Sequence, residues 1–219
     1  MRQRTFAMIE HASTATLPAE YARQISSAEL ASLPIRRYEG EVCLVASPGE
    51  LERALADIGA ERVVGFDTET RPSFRKGESY RPCLAQVATA RAVYLFPLQR
   101  QDFSAAIAGL LGAAAIIKVG VSLGEDLRQL KQLFPAEEAS MLDAGVVARR
   151  HGLRQTGLRN LAAIFLGIRI PKGKRTSNWA APRLSPAQIT YAATDAWACR
   201  ELFLCYERLG LLGAQPALR

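Results

Sequence analysis

An α/β domain with a mixed sheet flanked by helices is the fold class that this sequence predicts. Three observations predict it. Short runs rich in β-branched and aromatic residues cluster early, at residues 41–46, 62–68, 83–89 and 92–98. Helix-period and strand-like segments then alternate through residues 103–167. A long helix with its own start signature follows from Ser185. Early strands followed by alternation suit one sheet covered on both faces.

Each element has a local reason. "SSAELASL", residues 26–33, is a short helix with Ser26 and Glu29 spaced as a capping box. "EVCLVA" reads as a strand. In "SPGELERALADIG", Ser47 caps a helix, Pro48 takes its first turn and Glu50 completes the box. "RVVGFDT" is the next strand, and a polar loop runs from Arg71 to Pro82. "CLAQVAT" and "AVYLFPL" form two strands with a turn at residues 90–92. "FSAAIAGLLGA" is helical, "IIKVGV" is a short buried strand and "LGEDLRQLKQLF" is a helix. "MLDAGVVARRHG" starts extended and becomes helical, with Asp143 as a candidate cap. "GLRNLAAIFLG" is a further helix, and residues 169–183 form a basic loop. Ser185, Pro186 and Gln188 then open a helix running to about Gly210. Residues 1–40 are expected to be an N-terminal extension and 41–219 the functional domain.

Composition narrows the function. The 219 residues carry a formal charge of +7, which favours polyanionic partners such as nucleic acid. Cys43, Cys83, Cys199 and Cys205 show no Cys-x-x-Cys spacing, and neither His11 nor His151 lies near a cysteine in sequence. Zinc and a disulfide framework are therefore not expected. The first eighteen residues lack a secretory apolar core, and the longest apolar stretch stops at Lys118, too short to span a bilayer. An intracellular protein without membrane contact is the expectation. No sequence feature reports an oligomeric state.

The chemistry starts at "VVGFDTETRP", residues 63–72, where a hydrophobic strand ends in Asp67 and Glu69. Two residues apart on a strand, they point the same way. Further acids belong on elements that meet this strand end. Asp126 lies three residues after Leu123 and four before Leu130, on the packed stripe of its helix. Asp195 lies four after Tyr191, on the flank of a stripe made by Ile189, Ala192, Ala193, Ala196, Cys199 and Phe203. Inward carboxylates are costly unless paired, protonated or bound to a metal. Pairing remains open for each: Asp126 with Arg128 or Lys131, Asp195 with Arg200.

These segments resemble the DEDD superfamily of 3′–5′ exonucleases, tyrosine subgroup, over roughly residues 40–210. "FDTET" is similar to the first motif, "VGVSLGEDLRQL" to the second and "YAATDAWA", with Tyr-x-x-x-Asp spacing, to the third. "TSNWAAPRLSPAQITYAATDA" is similar to the exonuclease domains of the Werner and ribonuclease D type. The asparagine that the second motif often carries is replaced in the stretch Val121, Ser122, Leu123. Neither histidine has an Asp five residues on, so the histidine subgroup does not fit. The resemblance implies an RNase H-like five-stranded mixed sheet flanked by helices, with the strand ending at Asp67 at its centre.

The resemblance also implies hydrolysis of nucleic acid from a free 3′ end, single-stranded there, to nucleoside 5′-monophosphates. Two divalent cations, Mg²⁺ or Mn²⁺, roughly 3.5–4 Å apart, are its expected cofactors. Asp67 is expected to bridge them, with Glu69, Asp126 and Asp195 completing the ligands. Tyr191 is expected to orient the attacking water, because a phenol with an ordinary pKa near 10 is a poor free base at neutral pH. Arg71, Arg75, Lys76 and Arg81 after the first motif, and Lys172, Lys174 and Arg175 before the last helix, are candidates to track the substrate backbone. Phe74, Tyr80 and Trp179 are candidates to stack on terminal bases, Trp179 equally an anchor for the basic loop. DNA is the favoured substrate. An RNA-trimming or oligoribonucleotide-degrading enzyme is the alternative, and a non-catalytic nucleic-acid-binding module is the reading from another class.

Overall fold

A computed structural model describes residues 16–72, 80–99, 102–173 and 176–213. The local signals act much as their chemistry dictates. Helix α1 (Ser27–Ser32) and helix α7 (Pro186–Arg208) both start in complete capping boxes, at Ser26 with Glu29 and at Ser185 with Gln188. Ser47 accepts from the Glu50 N–H at the start of α2 (Pro48–Gly59), but the Glu50 carboxylate turns to the Ala46 N–H, 2.8 Å, so this box is not closed.

Six strands form one mixed sheet: β1 (Glu41–Leu44), β2 (Val63–Thr70), β3 (Pro82–Ala88), β4 (Ala92–Pro97), β5 (Ile117–Gly120) and β6 (Met141–Asp143). Their order is β1-β4-β3-β2-β5-β6. The expected sheet had five strands; the sixth is β6, three residues that pair with β5 before the chain turns helical. Strand β3 runs antiparallel to β2 and β4, while β1–β4, β2–β5 and β5–β6 are parallel. β2 is therefore interior, and it continues past Asp67 to Thr70.

Alternation along β2 divides its side chains between two cores. Val64 and Phe66 pack with α2, α3 (Ser104–Gly112) and α4 (Leu123–Leu130). Val63 packs on the opposite face with the distal half of α7 and with α5 (Ala144–Arg150) and α6 (Leu158–Leu166). Between these, Gly65 lets α7 lie against the strand: a Cβ there would stand 1.9 Å from the Ala196 carbonyl oxygen. The small residues Ala192, Ala193 and Ala196 make the same close approach over β3 and β4.

The described part of the first 40 residues packs on this body. Leu17 and Ile25 are buried in the α5–α6–α7 core, and Tyr21 stacks on Phe165 at 5.2 Å between ring centroids. Gln155 bonds both to the Ile25 N–H and to its carbonyl, at 2.7 and 3.1 Å. The Tyr38 N–H donates to Thr194 of α7 at 3.0 Å. None of the described helices is long and apolar enough to cross a membrane.

Candidate active site

The site forms where β2 outruns its neighbour. Pairing of β2 with β5 ends at Gly65–Val119, so the strand from Phe66 onward projects beyond β5. Asp67 and Glu69 share the α7 face of this overhang, opposite Gln86 and Leu84 of β3. α7 crosses that face and delivers Asp195. One carboxylate oxygen from each of Asp67, Glu69 and Asp195 falls within 4.8 Å of the others. Glu69 and Asp195 are 6% and 7% exposed, so these acids converge inside the fold and not on a solvated acidic rim.

Asp126 arrives from the other side of the sheet. Thr68 points to the α4 face, and its Oγ1 donates to Asp126 Oδ1 at 2.6 Å. Helix α4 is fixed by Asp143, whose Oδ2 accepts from the Leu123 N–H at 3.0 Å while Oδ1 accepts from Gly145 and Val146. Asp143 thus caps α5 as expected and holds the start of α4 as well. The four acids and Tyr191 line one open cavity of about 800 Å³, together with Arg71, Ser122, Arg159, Asn160 and Thr176 among others.

The bases proposed as ordinary salt-bridge partners are occupied elsewhere. Arg128 pairs with Glu125 at 2.6 Å and Lys131 with Glu138 at 2.6 Å. Arg200 reaches Glu61 at 3.4 Å and Glu201 at 3.8 Å. Among the described ion pairs, none involves Asp126 or Asp195.

Electrostatics follow from this crowding. Burial, then the charges of Asp195 and Asp126, hold the Asp67 carboxyl well above the usual range. Burial pushes Asp195 up to about 7, against the opposing pull of a Tyr191 hydrogen bond and the Arg159 charge. Burial likewise raises Asp126 to about 6, with the Thr68 bond working the other way. The Tyr191 phenol is driven up by burial and by the charges of Asp195 and Glu69, so it keeps its proton. Cys199, on the cavity wall, is raised in the same way and stays a neutral thiol. Three converging carboxylate oxygens with no cysteine or histidine among them suit a hard divalent cation.

The expected substrate contacts are placed unevenly. Arg71 lines the cavity, its guanidinium 4.8 Å from the centroid of the Tyr80 ring. Lys172 is exposed outside the cavity lining. Trp179 is 3% exposed, 6.0 Å from the Tyr191 ring, and lines a separate cavity beside Cys83 and Leu84. Phe74, Arg75, Lys76, Lys174 and Arg175 lie outside the described residues. Sequence reasoning overlooked Thr68 and Arg159. The parity of Thr68 against Asp67 was the available signal for the first; for Arg159 it was a basic residue in the first turn of a helix opened by Gly157.

The sequence profile of the 3′–5′ exonuclease family matches residues 42–207, and the chain belongs to that family. Ribonuclease D of Haemophilus influenzae is 35% identical over 149 residues, covering 66% of this chain and 36% of that protein. The bifunctional 3′–5′ exonuclease/ATP-dependent helicase WRN of Mus musculus is 32% identical over 192 residues, covering 83% of this chain and 14% of that protein. The crystal structure of the Aedes aegypti Nibbler EXO domain superposes with a TM-score of 0.71 at 24% identity, covering 80% of this chain and 91% of that one. That likeness establishes the RNase H-like sheet and helix arrangement. The chain spans well under half the length of the ribonucleases D that it matches.

Proposed function

We propose that this protein is a divalent-cation-dependent 3′–5′ exonuclease that removes nucleoside 5′-monophosphates from a single-stranded RNA end. The observation that carries it is the convergence of Asp67, Glu69 and Asp195 within 4.8 Å in a buried wall of an open cavity, with Asp126 on the same cavity. Family membership supports the reaction class. The relatives named ribonuclease D support RNA; the DNA preference expected from the sequence leans on the Werner-type likeness, and the name of the WRN relative states no substrate.

Asp67, Glu69, Asp126 and Asp195 are the residues that would hold two Mg²⁺ or Mn²⁺ ions. When bound, such ions supply charge neutralisation for the phosphodiester and activation of water. The protein's own groups do the rest. Asp67, whose carboxylate lies with those of Glu69 and Asp195, would be the ligand shared by the two ions. Thr68 fixes the rotamer of Asp126. Tyr191 keeps its proton and so orients a water by hydrogen bonding instead of removing its proton. Arg159 and Arg71 bring positive charge to an otherwise acidic cavity, which favours approach of a phosphate backbone. The site's open form suits a flexible strand end.

The test is degradation of 5′-labelled RNA and DNA of one sequence, with free or blocked 3′ ends, in Mn²⁺, Mg²⁺ or EDTA. Stepwise, cation-dependent shortening of unblocked RNA is expected. Tight binding without shortening would replace the enzyme with a binding module, and faster loss of DNA would reverse the substrate class.

A further inference from the structure

Gln86 sits at the centre of β3 and is fully buried, yet neither its amide nitrogen nor its amide oxygen has a hydrogen-bond partner among the described residues. A primary amide held this way carries its desolvation cost uncompensated. Packing alone does not explain it, since its neighbours along this face of β3, Leu84 and Ala88, are apolar and a leucine or methionine would fill the place.

Its surroundings limit what the amide can address. Strand register sets Gln86 directly across from Asp67 on β2 and from Leu95 on β4. Residues opposed in this way have Cβ atoms roughly 4.5–5.5 Å apart, within reach of a glutamine side chain. Diagonal to Gln86 on β2 lie Gly65 and Glu69, and above it α7 presents alanines. Asp67 is thus the polar residue directly opposite Gln86 on the same face.

We propose that Gln86 is a positioning residue for Asp67, its buried Nε2 donating to the Asp67 carboxylate when cations are seated in the site. Asp67 would use its lone pairs on the cations from the cavity side and accept from Gln86 behind. This fixes the carboxylate plane where a bridging ligand needs it. Outer partners of this kind change metal affinity or turnover by about 10- to 100-fold. The proposal rests on Asp67 being a cation ligand, as in the function proposed above.

The experiment compares wild type, Gln86→Leu and Gln86→Met. It measures thermal midpoint in EDTA, the Mn²⁺ titration midpoint by calorimetry, and the kcat and KM of RNA shortening. Expected are an EDTA melting point equal to or above wild type, a Mn²⁺ midpoint about 10- to 100-fold higher, and a kcat that recovers as Mn²⁺ is raised. If either folded variant binds Mn²⁺ as wild type does, the proposal is wrong and the amide serves only structure. Two variants of different shape guard against one that fails to fold. Calorimetry decides the role of Gln86 and shortening decides the enzyme reading: wild type that binds Mn²⁺ without shortening RNA would overturn the second alone.

Discussion

Thr68 Oγ1 donates to Asp126 Oδ1 at 2.6 Å, and this bond ties α4 to the strand that carries Asp67 and Glu69. Asp67 and Glu69 face α7, while Thr68 between them faces α4. A single strand therefore carries two carboxylates and the means of holding a third. The bond also draws Asp126 toward its charged form, against the burial that raises it.

Thr68→Val keeps the shape and removes the donor. Cation-dependent shortening should fall by about 10- to 100-fold, with a weaker Mn²⁺ midpoint and little change in melting temperature. Thr68→Ser should stay near wild type. Equal activity of the Val and Ser variants would show that Asp126 needs no such support.

The raised carboxylates link pH to stability in the absence of cations. Asp195 at about 7 and Asp126 at about 6 stand above the ordinary 3.8 of an aspartate. The folded state therefore binds protons more tightly than the unfolded one. Stability from this source is complete below the unfolded value and is lost as pH rises through about 6–7. In EDTA the melting temperature should fall by a few degrees between about pH 5 and about pH 8, and Mn²⁺ should cancel most of the fall. Asp195→Asn should melt above wild type in EDTA at about pH 8 and gain less from Mn²⁺. A wild-type melting curve flat with pH in EDTA would contradict the clustered-charge reading.

Lys118 is fully buried on β5, its Nζ donating to the Ala113 carbonyl at 2.7 Å, and burial lowers its pKa to about 8. Here the folded form releases its proton more readily than the unfolded one. Wild-type stability should therefore rise as pH climbs from about 8 toward the ordinary 10.5. Lys118→Met should melt on the order of 3 °C higher at pH 7, and the difference should shrink above about pH 8. A lower melting point for the Met variant at pH 7 would show that the bond to Ala113 outweighs desolvation.

Ser122 precedes α4 at φ 62°, ψ 37°, the left-handed region, and its side chain makes no capping bond. Asparagine and glycine tolerate this region better than serine. Ser122→Asn should stabilise the fold by about 0.5–1 kcal/mol in chemical denaturation. An unchanged or lower stability would mean that the Ser122 side chain is held by the cavity wall.

Much of this was legible in the sequence because it is encoded locally. Ser185, Pro186 and Gln188 announce α7 through bonds made within one turn, and Tyr191 and Asp195 then fall on one flank by helical spacing. Asp67 and Glu69 share a face for the equally local reason that strands alternate. What escaped was set by tertiary contact. Residues 141–143 read as extended, but their joining the sheet as a sixth strand is settled by pairing with β5. The importance of Gly65 depends on α7 lying 131 residues downstream in the chain, at Ala196. That the Glu50 carboxylate takes the Ala46 N–H is a rotamer choice that spacing does not decide. Arg159 joins the cavity through the packing of α6 on α7, and Asp143 caps two helices although only the second adjoins it in sequence.

The central claim is that acids from β2, α4 and α7 act together on cations to cut a nucleic acid from its 3′ end. The most direct measurement is Mn²⁺-dependent release of nucleoside monophosphates from RNA with an unblocked 3′ end, by wild type and by folded Asp67→Asn. Release by wild type, abolished by EDTA and reduced at least about 1,000-fold in the variant, is the predicted result. Release by Asp67→Asn at the wild-type rate would contradict it.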